Sequence, residues 1–142
     1  MVHALSEIHR VLVPGGVLID LRPLLDEWPL EVTSRNRVRE AGHATDLAEP
    51  LADDVAANQA IEEGIRQGWF QREEGQEFPF FYYWDTPKEM QEYLDDSWED
   101  VIHIEEQVWR TLRALWAIAE ADARVRIKIK MSIASLRRQN PG

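Results

Sequence analysis

Ala4-Leu5-Ser6-Glu7-Ile8-His9-Arg10-Val11-Leu12-Val13-Pro14-Gly15-Gly16-Val17-Leu18-Ile19-Asp20-Leu21-Arg22-Pro23 is the stretch on which the fold turns. Ala4, Leu5, Ile8, Val11 and Leu12 recur at helical spacing. Pro14 cannot continue that helix, and the glycines after it supply a left-handed exit. Val17 to Leu21 then reads as a short strand. Its near-continuous apolar character predicts burial on both faces, as in α/β sheets. Pro23 closes it.

Working outward, residues 24–52 are the least periodic, and Ser34 to Glu40 is polar enough for a turn, a short strand or a mobile segment. Residues 52–68 read as a helix, with Ala57, Ile61, Ile65 and Trp69 at four-residue steps and Gly68 at the end. Phe78 to Trp84 holds six of the chain's thirteen aromatic residues. Thr86-Pro87-Lys88-Glu89 has the composition of a capping box, with Pro at the first helical position. The helix it starts is expected to bury Met90, Tyr93 and Leu94. Val101, Ile102 and Ile104 suggest a strand. Residues 105–120 place Val108, Trp109, Leu112, Leu115, Trp116 and Ala119 on one helical face. The last element alternates. Val125, Ile127, Ile129, Met131 and Ile133 face one way, and Arg124, Arg126, Lys128, Lys130 and Ser132 the other. The basic face is expected to be solvated or to meet acidic side chains. Three strands and several helices make an α/β unit.

Composition sets the outer limits. The chain has 142 residues, a net charge of −10 and no cysteine. Domains run about 100–200 residues, so one domain is expected. Without cysteine there are no disulfides, thiolate metal sites or Cys nucleophiles. No apolar run reaches the ~18–20 residues of a membrane span, and the charged N-terminal residues do not resemble a signal peptide. A cytoplasmic protein is the default. Nucleic acid is not an expected partner for a chain of pI near 4.8.

Residues 4–23 resemble class I S-adenosylmethionine-dependent methyltransferases. In that family a helix with the pattern Ala/Leu-x-Glu-x-x-Arg-Val-Leu-x-Pro-Gly-Gly enters the fifth sheet strand, and Glu7, Arg10, Val11, Leu12, Pro14, Gly15 and Gly16 match it in register. The resemblance is tight there and loose over the rest. It implies a partial Rossmann-like methyltransferase sheet of about three strands, the last antiparallel, with flanking helices, and residues 1–142 as one half-domain. In the family, strand seven lies between strands five and six; the resemblance implies a strand near 99–104 as strand six and a final antiparallel strand near 124–136. The family holds its cofactor on a Gly-x-Gly-x-Gly loop. The glycines here, at 15, 16, 42, 64, 68, 75 and 142, form no Gly-x-Gly. The resemblance therefore implies a C-terminal half without the cofactor-binding half. No cofactor-binding or catalytic residue carries over, and S-adenosylmethionine is expected only if a partner chain supplies the missing half. The Val17–Arg22 strand would then lack a neighbour, which predicts a homodimer joined at that edge.

Candidate ligand residues are few. Asp20 and Arg22 lie near the C-terminal end of the first strand, where open α/β sheets bind ligands. A salt bridge supporting a loop is the simpler role for them. Tyr82, Tyr83 and Trp84, with Trp69, could line a pocket for a flat or apolar ligand, or could pack a long loop onto the core. The four histidines show no metal-ligand spacing, so no metal site is expected. Three functions remain open: a non-catalytic oligomeric binding or structural protein, a methyltransferase subunit completed by another chain, and a small-ligand binder using residues 78–84.

Overall fold

The computed structural model describes residues 1–24 and 27–140, the side chains at 46 and 48–51 excepted. The elements run α1 (Val2–Val11), β1 (Val17–Pro23), β2 (Trp28–Ser34), β3 (Arg37–Asp46), α2 (Ala48–Arg66), β4 (Phe70–Trp84), α3 (Pro87–Ser97), β5 (Ile102–His103), α4 (Glu106–Ala117) and β6 (Arg124–Arg138). The fold is α/β. Among the described residues six strands, not three, form one open sheet of order β1-β6-β2-β3-β5, with β4 also on β6. The pairs β1–β6, β2–β3, β2–β6 and β3–β5 are all antiparallel. A parallel Rossmann-like sheet is therefore not what the strands build. No helix is long and apolar enough to cross a membrane among the described residues.

The chain clusters into two compact units, threaded by the long strands β4 and β6. The first comprises Met1–Leu24, Leu51–Phe78 and Met131–Gly142. Its core is Leu5, Ala60, Ile61, Phe70 and Leu136, with Ile8, Leu12, Leu18, Ile65 and Trp69 packed around them. The helix α1 ends as the sequence demands: Leu12 is extended, Gly16 N–H donates to Val13 O at 2.8 Å, and Gly15 takes φ +74°. The strand β1 pairs β6 from Val17↔Arg137 to Pro23↔Met131. On the other strand of this unit, Glu73 meets Arg137, and Gly75 lies beside Ile133 and Ala134. Rising numbers on β4 meet falling numbers on β6, so this pair is antiparallel as well. Because a strand has two edges, β6 lies between β1 and β4. The expected strand near 99–104 does not take that place; β4 does.

Burial on both faces of β1 was expected, and only one face packs. Leu18 joins the core, whereas Val17, Ile19 and Leu21 stay exposed. Near-continuous apolar sequence cannot distinguish a covered face from a bare one.

The second unit comprises Leu25–Pro50 and Pro79–Lys130. The hairpin β2–β3 fills the segment that showed no periodicity. Trp28, Leu30 and Val32 are buried on alternate positions of β2. A bulge sits between Leu30 and Glu31, which pair with Gly42 and Glu40. The strand β5 is two residues long and pairs Thr45 and Asp46 of β3. The helix α4 packs Trp109 and Leu112 inward, as its pattern predicts. The helix α3 buries Met90 and Leu94, but Tyr93 is 40% exposed, against expectation.

The alternation of β6 holds only for part of its length. Val125, Ile127 and Ile129 are buried in the second unit, and Ala134 and Leu136 in the first. The buried parity changes from odd to even between them, so Met131 and Ile133 do not continue one buried stripe.

Candidate functional site

The C-terminal half of β4 is where aromatic residues and charge meet. The aromatic run, read from sequence as a pocket wall or as a long loop packed on the core, is strand, and its residues split between two faces by the period of two. Phe80, Tyr82 and Trp84 lie on one, Phe81 and Tyr83 on the other. Tyr82, Tyr83 and Trp84 therefore do not form one pocket wall.

On the odd-numbered face, the chain supplies its own cations. The Arg126 guanidinium lies 4.2 Å from the Phe81 ring centroid, and that of Arg124 lies 4.8 Å from Tyr83. Arg126 donates to Glu31 at 2.7 Å and to the Tyr83 hydroxyl at 2.9 Å. Arg124 pairs with Asp85 at 3.2 Å. This is the acidic partnership expected for the basic face of the last strand, with acids from β2 and the residue after β4. Burial would lower the pKa of Arg126. Its hydrogen bonds to Tyr83 and Glu31 outweigh that effect and hold it above the ordinary arginine value.

On the even-numbered face, Trp98 is the hub. Its ring centroid is 5.0 Å from Tyr82, 6.1 Å from Tyr93 and 6.1 Å from Trp28. Tyr93 is 5.5 Å from Trp84, and Tyr82 and Trp84 stack at 6.2 Å with 20° between planes. Trp28 is buried, and its Nε1–H finds no acceptor among the described residues. Trp98, the cap residue of α3, and Tyr93 were not singled out as ligand residues from the sequence. Only strand parity groups them with Tyr82.

Asp20 and Arg22, in the first unit, form a bidentate pair with each other at 2.8 and 2.9 Å. They share a face of β1 as i and i+2 neighbours. The pair satisfies both groups, which is the supporting role rather than an open ligand clamp. Asp54 at the start of α2 has its carboxyl pushed up, chiefly by burial; Arg22 opposes this and Asp53 adds to it.

The remaining chemistry is sparse. Among the described residues no group of three or more His, Asp or Glu could hold a metal ion. His9 stacks on Trp69 at 6.2 Å and bonds Gln139 O at 2.9 Å, a packing role. A cleft of about 40 Å³ between β3 and the end of α4, lined by Arg37, Arg39, Leu115 and Ile118, is far below the volume of a substrate pocket. No family model matches this chain, and no curated protein or solved structure does.

Proposed function

We propose that these residues form the second half of a methyltransferase-like fold and act as an oligomeric binding or structural protein, not catalytic alone. One observation supports this reading above the others. In the first unit β6 lies between β1 and β4 and is antiparallel to both, so β1 and β4 run parallel to each other. The resemblance in residues 4–23 implies that arrangement, with α2 on the connection between the parallel strands. The helix, Pro-Gly-Gly turn and strand that carry the resemblance are in place as well. The second unit then comes from two chain segments, the β2–β3 hairpin between β1 and α2, and α3, β5 and α4 between β4 and β6.

S-adenosylmethionine does not fit the described residues. A phosphate- or nucleotide-type cradle needs a glycine loop that leaves a strand and opens a helix. Gly15 follows a helix and precedes a strand, and Gly68 ends a helix. No step through the cofactor follows from this chain. Calorimetric titration of the isolated chain tests the reading. No saturable heat with S-adenosylmethionine is expected, and micromolar binding would overturn it.

A second reading is favoured by the exposed apolar side of β1. Val17, Ile19 and Leu21 are 39%, 56% and 54% exposed, and among the described residues β1 has a strand on one edge only. That surface suits either a second copy of this chain or a separate cofactor-binding chain that completes an active methyltransferase. Methyl transfer on mixing with such a chain would favour completion. A dimeric mass for the isolated chain would favour self-association.

A further inference from the structure

We propose that the aromatic group around Trp98 binds an organic ammonium ion carrying methyl groups, such as a quaternary ammonium headgroup. This site stands on the second unit alone and does not rest on the methyltransferase-like reading.

The rings are accessible and held in place. Tyr82 and Tyr93 are 36% and 40% exposed, and Trp98 is supported by buried Trp28. Exposed rings alone would suit any apolar partner. Charge selects the class. The two faces of β4 differ sharply. Phe81 and Tyr83 carry the guanidinium groups of Arg126 and Arg124 over their rings. Among the described residues no cation of the chain lies over Tyr82, Trp84, Tyr93 or Trp98.

The chain on either side of Trp98 is acidic instead. The helix α3 ends at Ser97, with Trp98 as its cap and no base in its last turn. Asp95 and Asp96 occupy that turn, and Glu99 and Asp100 follow the cap. A helix C-terminus carries a partial negative charge and favours cations, so acids there raise the local free energy. None of these four acids has an ion-pair partner among the described residues. Asp96 lies three residues after Tyr93 and shares its helical face. Lys88, the only base on α3, is directed to Glu92 at 3.8 Å. An uncompensated negative helix end next to tyrosine and tryptophan rings is the chemistry that attracts a cation to a ring quadrupole. A methylated ammonium is preferred to a metal ion or bare ammonium. It spreads its charge over apolar methyl groups and sheds water easily, whereas the patch offers no set of metal ligands.

The test uses choline and its uncharged isostere 3,3-dimethylbutan-1-ol, titrated into the full chain with tryptophan emission as the readout. Choline is expected to saturate with a Kd of about 1 mM or below, and the alcohol to bind at least ~5-fold more weakly. Asp96→Asn and Tyr93→Leu, both at exposed positions, should each weaken choline binding by about 3-fold or more, while Lys128→Ala leaves it unchanged. Failure of choline to saturate, equal binding of the neutral alcohol, or unchanged choline binding in Asp96→Asn would each overturn the proposal.

Discussion

Arg126 donates from Nε to Oε1 of Glu31 across 2.7 Å, and the two side chains keep only 15% and 11% of their surface in water. They sit opposite each other in the β2–β6 register. Glu31 is the one charged residue that is buried among those described. Removing one member of such a pair leaves the other charge without compensation, which costs about 3 kcal/mol, whereas replacing both is far milder. Glu31→Ala should therefore destabilise the chain by about 3 kcal/mol in urea unfolding, and adding Arg126→Met should recover part of the loss. Tyr83→Phe should cost about 1 kcal/mol through the lost hydroxyl acceptor. Simple additivity of Glu31→Ala and Arg126→Met would show that the pair is not coupled.

Gly42 reports how closely α4 approaches the hairpin. Its φ is +146°, and a Cβ built there would stand 2.7 Å from Cγ2 of Val108. It pairs with Leu30 at the bulge, where a strand glycine commonly marks close approach. Gly42→Ala should destabilise by about 1–3 kcal/mol, from crowding and from backbone strain. Val108→Ala in the same chain should restore the crowding component and leave the strain. Thermal melts of the two single variants and the double variant separate the two.

Two carboxyl groups of the first unit should pull pH dependence in opposite directions. Glu73 accepts from Arg137, with Nη2 to Oε2 at 2.9 Å, and Arg137 also holds Gly15 O at 2.8 Å. Hydrogen bonding from Arg137 keeps the Glu73 carboxyl below its ordinary 4.5. A lowered folded-state pKa means stability present above the unfolded value and lost as pH falls through the folded one. Asp54 is raised above its ordinary 3.8, chiefly by burial. Its contribution is present below the unfolded pKa and lost as pH rises through the folded one. Glu73→Gln should be less stable than the parent at about pH 7, with the gap closing towards about pH 3. Asp54→Asn should be the more stable at about pH 7 and equal to the parent at about pH 3. Urea unfolding across that range measures both, and a gap for Glu73→Gln that does not vary with pH would sink the assignment.

The parts of this fold that sequence made legible are those written by local chemistry. The turn at Pro14-Gly15-Gly16 is one. The cap of α3 is another: Glu89 N–H donates to Thr86 Oγ1 at 3.1 Å, although the Glu89 carboxylate reaches back to Asp85 N–H. The hairpin β2–β3 was hidden because Pro29, Glu31 and a polar turn interrupt the apolar positions. The strand β4 was hidden because aromatic residues occupy both of its faces, which removes the period-two signal. At the site, Asp20 and Arg22 could be read as a pair because they are two residues apart. The stacking of Arg126 on Phe81 depends on a strand register between residues far apart in the chain, and no local pattern encodes it.

The open edge of β1 makes the last prediction. Its residues 17–23 bond β6 on one side, which leaves a row of backbone donors and acceptors without a strand partner among the described residues on the other. Exposed edges of this kind pair with another chain unless charge or proline blocks them; here the two charges of the strand, Asp20 and Arg22, neutralise each other, and Pro23 stands at the far end. An antiparallel two-fold pairing centred on Ile19 sets Val17 opposite Leu21 of the second copy and Ile19 opposite its own twin. All three exposed apolar residues of β1 then meet, and the groove formed by Ile19 with Gly75, Ile133 and Ser135 lies along the same face. A dimeric mass is expected by light scattering at micromolar concentration. Ile19→Lys puts a charge at the centre of that pairing, where like charges would face each other, and should give a monomer that keeps the parent's far-ultraviolet circular dichroism. Ile118→Lys, at a position 73% exposed in the second unit, should remain a dimer. A monomeric parent chain would end the edge-pairing argument outright, and a dimer that survives Ile19→Lys would move the interface elsewhere.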